Sequence, residues 1–377
     1  MLKFWFAIIR GLEYNLVMEV LSMRYMTAKE AAEKWNISQR RVAVLCSENR
    51  IENAEMLGNM WLIPKDAEKP QDARSLRYFE NKKIKPFVKW AGGKGQILET
   101  IKENFPAGFG ETIRKYAEPF VGGGAVLFEI LANYDLDEIM ISDINQELVN
   151  SFVVVRDNVD ELISLLDAMQ EEFIPLSTEE RKEYYYSKRE LFNQLKQDKS
   201  SSMSIALAAL FIFLNKTCFN GLYRVNSKGG FNVPMGAYKN PLICDAENLQ
   251  LISQKLQNVK IVCGDYRESI DFIDENTFVY FDPPYRPLNA TSAFTSYNEV
   301  IFTDCNQEEL AEYIHMLNER KAKILLSNSD PKNHDEEDNF FDDLYANYNI
   351  KRIEASRMIN SKSAGRGKIR ELLISNF

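Results

Sequence analysis

The sequence is poor in the side chains that most often hold metals and disulfides. It has 2 histidines and 5 cysteines in 377 residues. Cys46, Cys218, Cys244, Cys263 and Cys305 are scattered, with no pair at metal-ligand or redox-motif spacing, which argues against a zinc site, any other bound metal and a disulfide framework. Reduced thiols in the cytoplasm are the simpler expectation. His315 falls in a helix-like run and His334 in an acidic loop, so neither reads as a ligand or a catalytic base. An excess of positive charge is also missing. A net charge of −9 and a pI near 5.2 disfavour indiscriminate attraction to nucleic acid and leave such binding to local patches. Nor is there an apolar run that could span a bilayer: Leu2–Ile9 is too short, is followed by Arg10 and Glu13, and has no small-residue cleavage site after it. Residues 1–24 therefore read as an added amphipathic helix or an upstream extension, with no membrane partner.

What is present is organised around Asp282-Pro283-Pro284-Tyr285, directly after the apolar run Phe278-Val279-Tyr280-Phe281. A run of β-branched and aromatic residues stopping at prolines predicts a buried strand that ends in a loop. Open α/β sheets place their sites at that edge. The prolines remove amide donors and leave carbonyls free to accept. A carboxylate beside such a carbonyl suits an exocyclic amino group with two protons to give, and Tyr285 offers a face on which an unstacked base could lie. A plain strand-end turn fits the same four residues.

In chain order, residues 25–65 predict a small winged helix-turn-helix. Thr27-Ala28-Lys29-Glu30 has capping-box spacing. A second helix follows Ser38, with Val42, Leu45 and Cys46 inward and Arg40 and Arg41 near its start, and Ile51 to Pro64 makes the wing. A protein-interaction domain is the other reading. Residues 66–84 form a charged linker. Lys85 to Lys94 contains Trp90, Gly92 and Gly93 but lacks the ending of a Walker sequence, which disfavours a nucleotide triphosphatase. Glu118-Pro119-Phe120-Val121-Gly122-Gly123-Gly124 reads as strand end and glycine turn before a helix, and Asp143 stands about twenty residues on, where dinucleotide folds hold ribose hydroxyls. Asn145 to Leu214 is helical by pattern, with Leu148, Phe152, Val155, Leu162, Leu165 and Leu166 assigned to packing. From Lys216 to Lys239 there is no acid, while Asn220, Tyr223, Arg224, Asn226, Lys228 and Phe231 alternate with glycines. That fits a hairpin contacting phosphates and base edges, with Lys239 at its far end, or an ordinary surface hairpin. Lys260 to Cys263 predicts a strand ending near Asp265 and Tyr266, which border a cofactor's adenine or cap a helix. Leu288 to Tyr297 reads as a mobile loop, Gln307–Asn318 as a helix, Lys323–Ser327 as a strand, and residues 351–370 as a second basic stretch before a final strand, Glu371–Ile374.

Taken together these stretches resemble Dam-type DNA adenine-N(6) methyltransferases of the α group, from about Lys85 to the C-terminus. The resemblance also covers Ser142-Asp143-Ile144-Asn145, Phe219 to Asn226, Phe231-Asn232-Val233-Pro234, Ser327-Asn328-Ser329-Asp330 and Ile359-Asn360-Ser361. Residues 25–65 resemble excisionase and MerR-like modules. The fold implied is α/β: a Rossmann-like, S-adenosylmethionine-dependent methyltransferase sheet over residues 85–377, with a helical and hairpin target-recognition insertion at about residues 155–258 and the small N-terminal winged domain. The resemblance implies S-adenosylmethionine against Trp90, Gly93, Lys94, Glu118, Phe120, Gly122, Asp143, Ile144, Asp265, Tyr266 and Asp282. It implies catalysis by Asp282, Pro283 and Tyr285, and contacts to double-stranded DNA from Asn220, Arg224, Asn226, Lys228 and Lys239, with Arg40 and Arg41 serving the N-terminal module. The target site implied is GATC, and a cognate restriction endonuclease is a functional partner to expect. Methylation of cytosine or RNA, or a DNA-binding regulator with an inactive core, are the competing readings.

Overall fold

A computed structural model describes residues 24–35, 38–47, 50–51, 53–58, 60–67, 84–198, 204–286, 302–356 and 368–377. Leu2–Ile9, most of the linker, the loop from Leu288 to Tyr297 and Ile359-Asn360-Ser361 lie outside the described residues. The chain forms two compact units, Met1–Lys82 and Lys83–Phe377.

The first unit contains β1 (Tyr25–Thr27), α1 (Ala28–Trp35), α2 (Gln39–Ser47), β2 (Glu55–Leu57) and β3 (Met60–Pro64). The capping box at its first helix is formed: the Glu30 amide donates to Thr27 Oγ1 at 3.3 Å and the Thr27 amide donates to Glu30 Oε2 at 2.7 Å. Ala31, Ala32 and Trp35 of α1 bury against Val42, Leu45 and Cys46 of α2, with Ile63 of β3 beneath. β3 pairs antiparallel with both β1 and β2. β1 has three residues, too few to show an alternating pattern in the sequence.

The second unit is built on a seven-stranded sheet in the order β6-β5-β4-β7-β8-β10-β9. Its strands are β4 (Lys115–Glu118), β5 (Glu138–Asp143), β6 (Val259–Cys263), β7 (Thr277–Phe281), β8 (Lys323–Ser329), β9 (Asn349–Ser356) and β10 (Lys368–Ser375). β4 to β8 pair in parallel, and β10 runs antiparallel to both β8 and β9. All five residues of β7 are buried, as a parallel strand covered on both faces requires. The sheet reverses direction of growth between β4 and β7: β5 and β6 extend it one way, and β8, β10 and β9 the other. That switch point opens a crevice at the carboxyl ends of the strands.

The helices are α3 (Leu98–Lys102), α4 (Ala125–Asn133), α5 (Gln146–Asp157), α6 (Val159–Phe173), α7 (Thr178–Gln197), α8 (Ile205–Thr217), α9 (Ala246–Leu256), α10 (Asp304–Glu319) and α11 (Phe340–Leu344). α8 is apolar on every side, buried from Leu207 to Asn215, and forms the axis against which α5, α6 and α7 pack. No helix among the described residues is long and apolar enough to cross a membrane.

Three local expectations change. Leu165 faces out at 38% exposure instead of packing. The basic stretch after Lys351 contains the edge strand β9, which lysine and arginine disguise in the sequence. The expected hairpin between Lys216 and Lys239 has only the isolated bridges Val225 to Phe231 and Cys218 to Met235. Its glycines break alternation, and side-chain amides supplement the few backbone pairs, such as Asn226 to Gly230 at 2.8 Å and Asn232 to Arg224 at 3.1 Å. Asn226 Oδ1 accepts from the amides of Lys228 and Gly230, and Asn193 both accepts from the Phe231 amide and donates to its carbonyl.

Candidate active site

Asp282 leaves the end of β7 at the switch point, level with Ser327 on parallel β8. Lys94, 4% exposed, reaches it from the short helical turn after Gly93. The Lys94 ammonium lies 2.6 Å from Asp282 Oδ1, donates to the Tyr285 hydroxyl at 2.8 Å and to the Gly92 carbonyl at 3.0 Å, so each of its three protons has a partner. Ser327 Oγ donates to Asp282 Oδ1 at 3.1 Å. Both contacts fall on Oδ1. Among the described residues no donor reaches Oδ2 or the Pro283 carbonyl, whereas the Pro284 carbonyl accepts from Gln307 at 3.1 Å. Burial raises the Asp282 pKa, opposed by Lys94 and Ser327. Tyr285 keeps its ring beside the cluster while its hydroxyl donates to Glu371 Oε2 of β10 at 2.9 Å.

On the other side of the switch point, Asp143 ends β5 and organises the glycine turn after β4. Its Oδ2 accepts from the Gly122 amide at 3.1 Å and its Oδ1 from the Asn145 amide at 2.9 Å. Gly122 has a φ of +49°, and a Cβ there would stand 2.8 Å from the Trp90 ring, so only glycine brings this backbone so close to the indole. Trp90 in turn stacks on Tyr223 with ring centroids 5.8 Å apart. Burial raises the Asp143 pKa against the pull of these amides.

Glu118, at the end of β4 and 3% exposed, accepts from the Tyr116 hydroxyl at 2.7 Å. Burial pushes its carboxyl up to about 8, the Tyr116 hydrogen bond pulling down and the charge of Asp282 pushing up. A carboxyl whose folded pKa is raised contributes stability that is fully present below its unfolded pKa and is lost as pH rises through about 8. Glu118→Gln, which stays neutral, should therefore gain melting temperature relative to wild type between about pH 5 and about pH 9. A difference that does not change with pH in thermal denaturation would show that Glu118 folds already ionised.

A cavity of about 380 Å³ opens beside these groups. Of the predicted cofactor residues, Phe120, Ile144, Asp265 and Tyr266 line it. Trp90, Gly93, Lys94, Gly122, Asp143 and Asp282 cluster next to it, and Glu118 is enclosed in the sheet. Ile144 is 58% exposed, an apolar surface left uncovered in a concave site. The Tyr266 hydroxyl is buried with no hydrogen-bond partner among the described residues. An apolar wall formed by Phe120 and Ile144, with the polar side chains of Asn145, Glu147 and Asp265 in the same lining, fits a nucleoside. Asp265 also caps the turn Tyr266–Ser269 and pairs with Arg267 at 2.8 Å, so the cap and the cavity wall are one residue.

The glycine-punctuated segment presents Asn220, Arg224, Asn226, Lys228 and Lys239 at the surface. Arg224 is held by Asn232 at 2.7 Å, and Asn226 spends its Oδ1 on the loop. Asn220 adopts a φ of +56° in the turn Phe219–Gly221, beside Phe219, which is 51% exposed. Lys216, behind them, is lowered to about 8 by burial and by Lys89. In the first unit Arg40 is exposed at the start of α2.

Sequence reasoning attached no role to Ser327, Gln307 or Glu371. It also missed the triad at the cavity wall in which the Lys196 ammonium and the Tyr223 hydroxyl converge on Glu147 at 3.0 and 2.9 Å. Excess polarity in otherwise apolar strands was the available signal for Ser327 and Glu371. Among the described residues no group of three or more histidine, cysteine or acidic side chains is placed to hold a metal ion.

A mostly parallel seven-stranded sheet, with a nucleoside-sized cavity and an Asp-Pro-Pro-Tyr loop at its switch point, defines a Rossmann-like methyltransferase. Residues 90–359 match the D12 class N6 adenine-specific DNA methyltransferases, and the chain belongs to that family. It is similar to the type II methyltransferase M.MjaIII of Methanocaldococcus jannaschii, at 52% identity over 78% of this chain and 99% of that protein. The type II methyltransferase M1.LlaDCHI of Lactococcus lactis subsp. cremoris is 40% identical over 78% of this chain and 96% of its own length. DNA adenine methylase of Escherichia coli K12 is 37% identical over 78% of this chain and 95% of its own length. The protein is an adenine-specific DNA methyltransferase, a family whose chemistry implies S-adenosylmethionine as methyl donor.

Proposed function

We propose that the enzyme takes a target adenine out of duplex DNA and presents its amino group to a cofactor bound between Trp90, Asp143, Ile144 and Tyr266. The observation that carries this reading is the pair of acceptors without donors, Asp282 Oδ2 and the Pro283 carbonyl, beside the Tyr285 ring. Extruding the base costs a few kcal/mol of unstacking, and stacking on Tyr285 returns about 1–3 kcal/mol. Asp282 and the Pro283 carbonyl then accept hydrogen bonds from the two amino N–H groups, which turns the nitrogen lone pair out of the ring. Asp282 is placed to take the one proton that the amino group loses when it gains the methyl group. Lys94 and Ser327 hold Asp282 from its far side, so the carboxylate meets the base in a fixed orientation. S-adenosylmethionine, when bound, supplies the electrophilic methyl group.

For specificity we propose GATC, read by the exposed segment from Asn220 to Lys239. Lys228 stands where some GATC-specific relatives carry arginine, and since the two side chains are not interchangeable in reading a base edge, it is the position at which the assignment is most open to test. Residues 25–65 are proposed to bind DNA through α2, led by Arg40 and Arg41, and so to tether the enzyme or act on its own operon. The type II names of two relatives motivate a partner restriction endonuclease. One experiment tests site and module: unmethylated genomic DNA is treated with the whole chain and with a variant lacking residues 1–65, and modified bases are mapped by single-molecule sequencing. Methyladenine confined to GATC is expected from both, with slower or less processive modification by the shorter chain at moderate salt. A different motif would overturn the GATC assignment, and identical kinetics together with an unchanged footprint would remove DNA binding from the module.

A further inference from the structure

We infer that Glu371, on β10, is a positioning residue for methyl transfer, acting through the Tyr285 hydroxyl on the ring that receives the base and on the lysine that holds Asp282. The inference deepens the reading given above and rests on its roles for Asp282 and Tyr285. Glu371 is 9% exposed, a costly place for a carboxylate with no task. Because β10 runs antiparallel to β8, Glu371 pairs with Ser329 and comes to the same sheet edge as Asp282.

There it completes a continuous chain: Glu371 Oε2 accepts from the Tyr285 hydroxyl at 2.9 Å, that oxygen accepts from Lys94 at 2.8 Å, and Lys94 pairs with Asp282 at 2.6 Å. The Tyr285 hydroxyl thus both gives and receives, which anchors the end of the ring, while the Lys94 ammonium over the ring, 4.7 Å from its centroid, adds an off-axis contact that favours one ring plane. A stacking surface held in one plane defines the plane of the base, and with it the direction of the amino lone pair. The same chain holds the ammonium on Oδ1 of Asp282 and leaves Oδ2 open. Only Asp282 contacts the ammonium directly, and Glu371 reaches it through the Tyr285 hydroxyl. Burial raises the pKa of Glu371, and Lys94 and the Tyr285 proton oppose that shift.

The test is a double-mutant cycle on the full chain with a cognate duplex, reading kcat, both KM values and melting temperature. Glu371→Gln keeps the size and one acceptor but removes the charge. Its kcat should fall by roughly tenfold to a hundredfold, the loss of a charge-assisted hydrogen bond, while KM for cofactor and for DNA stay within about threefold. Tyr285→Phe keeps the ring and cuts the chain, so it should reproduce that kcat loss. In the Tyr285→Phe background, Glu371→Gln should cost less than about twofold more, since the two act as one unit. Wild-type kcat in Glu371→Gln, or losses that multiply in the double variant, would overturn the inference. If Glu371→Gln fails to fold, Tyr285→Phe decides alone, and wild-type kcat there has the same meaning. Asp282→Asn, assayed in parallel, separates the two levels: an active Asp282→Asn removes the reading beneath, whereas an inactive one with an unaffected Glu371→Gln removes Glu371 only.

Discussion

Asp282→Ala should abolish methylation while binding of cognate duplex stays within severalfold of wild type. The substitution removes the acceptor proposed to turn the adenine lone pair outward, and it leaves the Lys94 ammonium, 4% exposed, without its carboxylate. Loss of one oriented catalytic group costs about 10²–10³ in kcat, and loss of a proton-accepting partner about 10²–10⁴. A fall of at least ~10³ is therefore the expectation. DNA binding should be spared because the proposed phosphate and base contacts lie on the exposed segment around Arg224 and Lys228. Labelled methyl incorporation and a filter-binding assay measure the two quantities separately. Turnover within tenfold of wild type would assign the chemistry to another group.

Asp143→Ala should weaken S-adenosylmethionine binding by roughly a hundredfold, an effect seen in calorimetric titration and in KM for the cofactor. Two causes add. The carboxylate that faces a ribose in this class of sheet is gone, and the amides of Gly122 and Asn145 lose their acceptor. Each buried donor left without a partner costs about 1–3 kcal/mol, so the melting temperature should drop as well. The glycine turn then loses its fixed approach to Trp90. Raising the cofactor concentration should restore much of kcat, because Asp143 makes no contact to the group that accepts the amino protons. An unchanged dissociation constant would place the cofactor elsewhere.

The parallel half of the sheet was readable from the sequence. β4, β5, β6 and β7 are short apolar runs stopped by Pro, Gly or Asp, and each stop is a candidate site residue or its neighbour: Glu118, Asp143, Gly264, Asp282. Periodicity and punctuation report where a strand ends, and in this architecture strand ends are where chemistry collects. What such patterns do not carry is strand order. Ser327 and Glu371 reach Asp282 and Tyr285 only because β8 lies beside β7 and β10 beside β8, and nothing local in either strand announces its neighbour. β9 was hidden for a different reason: an edge strand tolerates Lys351 and Arg352 on its open side, so its composition resembles a basic loop. The segment from Asn220 to Lys239 folds back on itself through a few antiparallel backbone pairs, among them Asn226 to Gly230 and Asn232 to Arg224, without forming regular strands. Its composition gave the polar surface, while the reinforcing bonds from the side chains of Asn193 and Asn226 were not legible.

The position of β10 also bears on how the polypeptide is made. It is synthesised after both β8 and β9 yet lies between them. Until β10 is in place, β8 has an unpaired edge and β9 has no partner strand, the kind of surface on which unfinished chains stick to one another. Lys351 and Arg352 put charge on β9 in that state. Insertion of β10 then closes the gap and delivers Glu371 to Tyr285 in the same event, so sheet completion and assembly of the methyl-transfer site coincide.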